Sequence, residues 1–120
     1  MKRILIIDDH QESADILASM MDFDGHITKV ACGGIPGLRE MKNFDPHIVF
    51  LDISMPDMDG NEVAALIRKD GDLRQPYLVA FTNFTDAQMT RKFKQVGFDL
   101  YLAKSISVDV LMDAIKEIVL

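Results

Sequence analysis

The sequence predicts an α/β domain: a doubly wound, five-stranded parallel sheet with helices on both faces. Two observations carry this. Short runs of unbroken apolar residues recur along the chain, as in strands buried on both faces. Between them, in strict alternation, lie amphipathic segments of helical period. Such alternation implies right-handed crossovers, and therefore parallel pairing.

Each element follows in order. The first run is Ile4–Ile7. Ala14, Leu17 and Met21 then share one helical face, with Met20 beside it, and Gly25 separates this helix from a weaker run at Ile27–Ala31. The segment Ile35 to Lys42 is the poorest helix former, because Pro36 is tolerated only in a first turn and Gly37 costs backbone entropy. Ile48–Leu51 is the third strand. Val63, Leu66 and Ile67 mark the third helix, with Gly71 after it. Tyr77–Phe81 is the fourth strand. Thr85 and Gln88 have the spacing of a capping box ahead of a fourth helix carrying Met89, Phe93 and Val96. Gly97 precedes the fifth run, Phe98–Leu102. Ser107 caps the last helix, whose stripe is Val108, Leu111, Ile115 and Ile118.

The 120 residues fit one domain, 1–120, large enough to bury a core without covalent staples. Cys32 is the lone cysteine, so no internal disulfide forms, which suits a reducing compartment. After Met1-Lys2-Arg3 only four apolar residues follow, too few for a signal peptide or a membrane span. The expectation is a soluble, cytoplasmic protein with no membrane contact. A formal net charge of −6 repels phosphate backbones, so direct nucleic-acid binding by this domain is not expected.

In open parallel sheets, sites form at the carboxyl ends of strands. Asp8 and Asp9 follow the first strand, Asp52 the third, Thr82 the fourth and Lys104 the fifth. Alone, each reads as a turn residue or a helix cap; together they place three carboxylates, a hydroxyl and an ammonium on one edge. Clustered carboxylates repel unless a cation joins them, and an all-oxygen donor set suits a hard cation such as Mg²⁺. A carboxylate is also a competent nucleophile toward phosphorus, with Lys104 and Thr82 placed to bind the transferred oxygens.

Four stretches closely resemble the receiver domains of response regulators, as in single-domain chemotaxis regulators. They are Ile4-Leu5-Ile6-Ile7-Asp8-Asp9, Asp52-Ile53-Ser54-Met55-Pro56-Asp57-Met58-Asp59-Gly60, Phe81-Thr82 and Tyr101-Leu102-Ala103-Lys104. The likeness spans essentially the whole chain, and the Asp-x-x-Met-Pro-x-x-x-Gly stretch is its most specific part. It implies the flavodoxin-like strand order 2-1-3-4-5. It implies that Asp52 is the phosphoacceptor, and that Asp8 and Asp9, with Asp52 and the backbone carbonyl of Ser54, hold Mg²⁺. Lys104 would pair with phosphoryl oxygens, Thr82 would be the switch hydroxyl, and Tyr101 the aromatic that changes rotamer with it. The implied function is a phosphorylation-controlled switch rather than a classical enzyme. The donor would be a histidine kinase or histidine phosphotransfer protein, and the output a protein target met through the fourth helix, fifth strand and fifth helix.

Departures from the family pattern bear on kinetics and partner choice. Ser105 follows Lys104 where proline after a cis bond is usual; a cis bond before serine costs about 3–4 kcal/mol, so a trans bond is expected here. Asn83 stands where a small residue is usual, with Phe84 after it, and Leu100 replaces a common acid. Ser54 and Phe84 occupy the positions that influence the hydrolytic water in this family. Neither holds water well, so slow self-dephosphorylation is expected.

Other readings fit less well. Asp57-Met58-Asp59-Gly60 resembles part of a calcium loop, but Met55 and Leu66 stand where an acid and a glutamate are required. A flavodoxin-like cofactor site would not begin Asp8-Asp9-His10-Gln11-Glu12, and an aspartyl phosphatase shows Asp-x-Asp rather than adjacent acids. The strongest alternative is a receiver-like module that signals by protein contact without phosphorylation. His10, His26 and His47 share no metal-ligand spacing, and the Met-rich first helix reads as core filler. Arg91, Lys92 and Lys94 form a basic run on the fourth helix, a solvated face or a contact patch.

Overall fold

A computed structural model describes the backbone of residues 1–83 and 87–118, and the side chains of all of these except 87–90. The elements are β1 (Arg3–Ile7), α1 (Gln11–Phe23), β2 (Ile27–Ala31), α2 (Gly34–Phe44), β3 (Ile48–Leu51), α3 (Gly60–Lys69), β4 (Tyr77–Thr82), α4 (Ala87–Val96), β5 (Leu100–Ala103) and α5 (Val108–Lys116). The strands pair in parallel in the order β2-β1-β3-β4-β5, as the resemblance implied.

The unbroken apolar runs are explained by two cores that share each strand residue by residue. Leu5, Ile7, Val49, Leu51, Leu78 and Ala80 face α2, α3 and α4, and pack with Met41, Val63, Ile67 and Phe93. Ile4, Ile6, Ile48, Phe50 and Val79 point the other way, onto Ala14, Leu17 and Met21 of α1 and Leu111 and Ile115 of α5. Alternate side chains leave opposite faces of a strand, so a strand covered on both sides needs apolar residues throughout. Burying each large apolar side chain contributes about 1.5–3 kcal/mol. The order reverses between β1 and β3, which opens a crevice at the carboxyl edge of the sheet.

Several sequence-based expectations need correction. Leu66 is 46% exposed; the core stripe of α3 is Val63, Ala64 and Ile67, and at 100° per residue Leu66 falls outside that arc. Val108 is 52% exposed, because the first residue of α5 faces the groove between α5 and α1 instead of the sheet. Phe98 precedes β5. Its N–H donates to the Phe93 carbonyl at 2.9 Å to close α4, while its ring meets the Phe93 ring edge-on at 5.6 Å. Thr82 is the last residue of β4 rather than the first after it.

Boundary chemistry otherwise follows the sequence. Ser107 Oγ accepts the N–H of Val110 at 3.3 Å, and Pro36 lies in the first turn of α2. The Thr85–Gln88 capping box and the contribution of Met89 lie outside the described residues. Among the described residues no peptide bond is cis, so Lys104–Ser105 is trans as expected.

Candidate functional site

Hydrogen bonds that extend the sheet past its strand ends position the site. The Asp8 N–H donates to Ala31 O at 3.1 Å, the Asp52 N–H to Ile7 O at 3.0 Å and the Lys104 N–H to Thr82 O at 3.0 Å. The residues after β1, β3 and β5 are thereby fixed relative to one another by backbone, and their side chains converge.

Asp8 and Asp52 are buried, and Asp9 is exposed beside them. Each of the three offers a carboxylate oxygen, and these oxygens lie within 4.8 Å of one another. Asp8 Oδ1 accepts the His10 N–H at 2.9 Å, which fixes the carboxylate at the start of α1. Lys104 Nζ donates to Asp8 Oδ2 at 2.7 Å and lies 3.6 Å from Asp52 Oδ2, so the ammonium leans toward Asp8 while still facing Asp52. Burial drives the Asp52 pKa up to about 6. The Lys104 charge opposes the rise, and the Asp8 charge and its hydrogen bond add to it. An open cleft of about 470 Å³ exposes this edge, lined by His10, Ser13, Asp52, Ser54, Thr82, Asn83 and Lys104.

The Asp52–Gly60 stretch has a structural reading residue by residue. Ile53 and Met55 are buried and anchor the loop inward. Asp59 caps α3 by accepting the Asn61 N–H at 2.7 Å. The Gly60 N–H donates to Ile53 O at 2.8 Å, and a Cβ at this position would run into the backbone carbonyl of Asp52. Only glycine lets α3 start so close to the strand end that carries Asp52.

Thr82 is buried on β4, and Tyr101 sits on the neighbouring strand opposite Ala80. The Tyr101 ring stacks on Phe93 of α4 with centroids 5.2 Å apart, and burial pushes its pKa up. Its hydroxyl is buried with no hydrogen-bond partner among the described residues.

The structure therefore brings Asp8, Asp9, Asp52, Thr82 and Lys104 to one edge and places Tyr101 on β5, two register positions back from the level of Thr82. Ser54 is exposed at the cleft wall, whereas Phe84 lies outside the described residues. His26 and His47 stand at the opposite edge, where their Nδ1 atoms accept the N–H groups of Lys2 at 3.2 Å and Arg3 at 2.9 Å. The basic side chains of Arg91, Lys92 and Lys94 are exposed. Sequence reasoning weighed Asp57 only as part of a calcium loop that Met55 and Leu66 rule out. Its carboxylate accepts the N–H groups of Gly34 at 3.1 Å and Ile35 at 3.0 Å, a link from the loop after β3 to the start of α2 that only the strand order reveals. Ser13 in the cleft wall carried no sequence signal at all.

Comparison with known proteins gives the family and the fold. Residues 4–116 match the model of the response regulator receiver domain. The polar-differentiation response regulator DivK of Brucella ovis is 25% identical over 115 residues, covering 96% of this chain and 94% of the relative. The chemotaxis protein CheY4 of Vibrio cholerae superposes with a TM-score of 0.91 at 19% identity, over 99% of both chains. A CheY-like receiver domain protein from Methanospirillum hungatei gives a TM-score of 0.88 at 28% identity, over 98% of this chain and 92% of that one. No helix among the described residues is long and apolar enough to cross a membrane.

Proposed function

The chain belongs to the response regulator receiver domain family, and from that premise we propose that it is a cytoplasmic switch thrown by phosphorylation of Asp52 in the presence of Mg²⁺. The observation that carries this is the cluster itself: carboxylate oxygens of Asp8, Asp9 and Asp52 within 4.8 Å, with the Lys104 ammonium 3.6 Å from Asp52.

The donor set fits Mg²⁺, because it is all oxygen, partly buried and carries more negative than positive charge. Asp8 and Asp9 would hold the ion, with Asp52 and the Ser54 carbonyl completing the protein's share. A bound Mg²⁺ would supply positive charge to neutralise the carboxylates and the incoming phosphoryl oxygens. The chain's own groups do the rest. An Asp52 oxygen forms a bond to phosphorus as the P–N bond of a phosphohistidine breaks, and the electron pair returns to the imidazole nitrogen. Ionised Asp52 is the nucleophile. Burial is the main reason its pKa is raised, with Asp8 adding to the rise against Lys104, and a cation beside it would lower the cost of that buried charge. Lys104 then exchanges Asp8 for a phosphoryl oxygen, and Thr82 turns toward the new acceptors, which frees space for Tyr101.

The donor is a histidine kinase or histidine phosphotransfer protein. The output is a protein contact on α4, β5 and α5, the face that holds Tyr101 and the exposed basic side chains of α4. Incubation with a small-molecule phosphodonor tests the reading. Wild type should incorporate an acid-stable, base-labile phosphoryl group only with Mg²⁺, and Asp52→Asn should incorporate none. Equal labelling of the variant would remove Asp52 from the mechanism, and a folded wild type that never labels would favour signalling by contact alone.

A further inference from the structure

We infer that Asp57 is a positioning residue for the metal: it presets the loop that carries Asp52 and Ser54 by clamping it to the start of α2. The inference rests on the Mg²⁺ reading of the carboxylate cluster. Inward, the loop between β3 and α3 is held by buried Ile53 and Met55. Outward, Ser54, Pro56 and Asp57 are exposed, and it is the Asp57 carboxylate that reaches across to another element.

The receiving end is built for this contact. Gly33, the residue before α2, offers no side-chain cap to its own helix. Its φ of 137° lies in the region that favours glycine, and a Cβ there would sit 2.9 Å from Asp57 Oδ2. The first N–H groups of a helix lack intrahelical partners and attract negative charge. Here a carboxylate 22 and 23 residues further along the chain takes two of them, one per oxygen. Those two bonds, from Ile35 and Gly34, lower the Asp57 pKa, so the clamp stays ionised at neutral pH. Ser54 is three residues away, and a loop already held in place loses less conformational freedom when a cation is bound. The same clamp ties the acceptor loop to the β2–α2 loop, which begins at the strand whose Ala31 carbonyl holds Asp8.

A double-mutant cycle on Mg²⁺ affinity tests this, read from amide chemical shifts of the metal-free protein during titration. Asp57→Ala removes both acceptors and the charge. Ile35→Pro removes one donor at an exposed first-turn position where proline is tolerated, and leaves the Asp57 charge in place. Each change should weaken Mg²⁺ binding roughly fivefold, the scale of a lost helix cap. The double variant should bind no more weakly than Asp57→Ala alone, because the two changes break one contact. Additive losses, or full affinity in Ile35→Pro with a well-dispersed spectrum, would overturn the clamp, the latter leaving only a charge effect. A wild type whose amides ignore Mg²⁺ would instead contradict the metal reading, and the clamp's role with it.

Discussion

Asp52 lies between opposing influences, and their balance gives it a measurable signature. Burial pushes its pKa up to about 6 against the pull of Lys104. In the metal-free protein, the folded state therefore binds a proton at Asp52 more tightly than the unfolded chain, whose carboxylate titrates near about 3.9. The cost of the buried charge is present in full above about 6 and is relieved as pH falls from there toward the unfolded value. His47 works the other way: burial lowers its pKa, so its contribution is lost as pH falls through the ordinary histidine range. Comparison with Asp52→Asn separates the two. Without metal, the variant should be more stable than wild type at pH 7, with the advantage shrinking by pH 5, as urea unfolding would show. Saturating Mg²⁺ should lower the Asp52 pKa followed by carboxyl NMR; a pKa that stays put would place the ion elsewhere. Asp8 and Asp52 were legible in the sequence because each follows an apolar run directly, and Asp9 and Lys104 because they lie one residue further on. The Lys104–Asp8 ion pair was not, since 96 residues separate the partners and only the closed sheet brings them together. Asp57 is a similar case: it reads as a loop acid until the start of α2 is placed beside it.

At the scale of elements, β1, β3 and β4 were legible nearly to the residue, because two-sided burial leaves an unbroken apolar run, whereas β2 is a half-exposed edge strand and β5 starts two residues later than its run suggests. Helix faces were less so. Leu66 and Val108 match a helical stripe in spacing, but which arc meets the sheet depends on how each helix is rotated onto it. The elements are also joined by polar ties with no periodic signal. Arg68 of α3 donates to Gly97 O at 2.9 Å, Pro76 O at 2.9 Å and Asp99 Oδ2 at 2.8 Å, linking α3, the turn into β4 and the turn into β5. Its side chain is partly exposed, so the ion pair alone is worth little, but the carbonyl bonds and the packing of its stem over Gly97 add to it. Arg68→Ala should lower stability by about 1–2 kcal/mol without changing Mg²⁺ affinity. Denaturant unfolding alongside a metal titration checks both halves. Gly60→Ala should do both kinds of damage: its Cβ meets the Asp52 carbonyl, which requires α3 or the acceptor loop to shift. Overpacking of this kind costs about 1–3 kcal/mol. Labelling of Asp52 should fall with it, and unchanged labelling would show that the loop tolerates displacement.

Across the whole molecule, the sheet separates its polar groups by edge. The carboxyl edge carries the acid cluster, and the opposite edge carries histidines that cap the start of β1. β4 and β5 run from the site to the α4 face, with Thr82 at one end of the route and the buried Tyr101 hydroxyl, without a partner among the described residues, along it. A phosphoryl group adds about −1.5 to −2 charges and new acceptor oxygens, enough to bias a two-state arrangement of these side chains. Lifetime is set at the same edge: Ser54 is short and exposed at the cleft wall, so Ser54→Asn should hasten loss of the phosphoryl group after the donor is removed, with little effect on Mg²⁺ binding. Decay at the wild-type rate would assign the lifetime to other groups. The central claim is that filling the carboxylate cluster is read out on β4 and β5. The direct test is an amide NMR spectrum with Mg²⁺ and beryllofluoride, which mimics a phosphoryl group on a carboxylate. The account predicts shifts from Thr82 through Tyr101 to Lys104 as well as at the acids. Shifts confined to Asp8, Asp9 and Asp52 would contradict it.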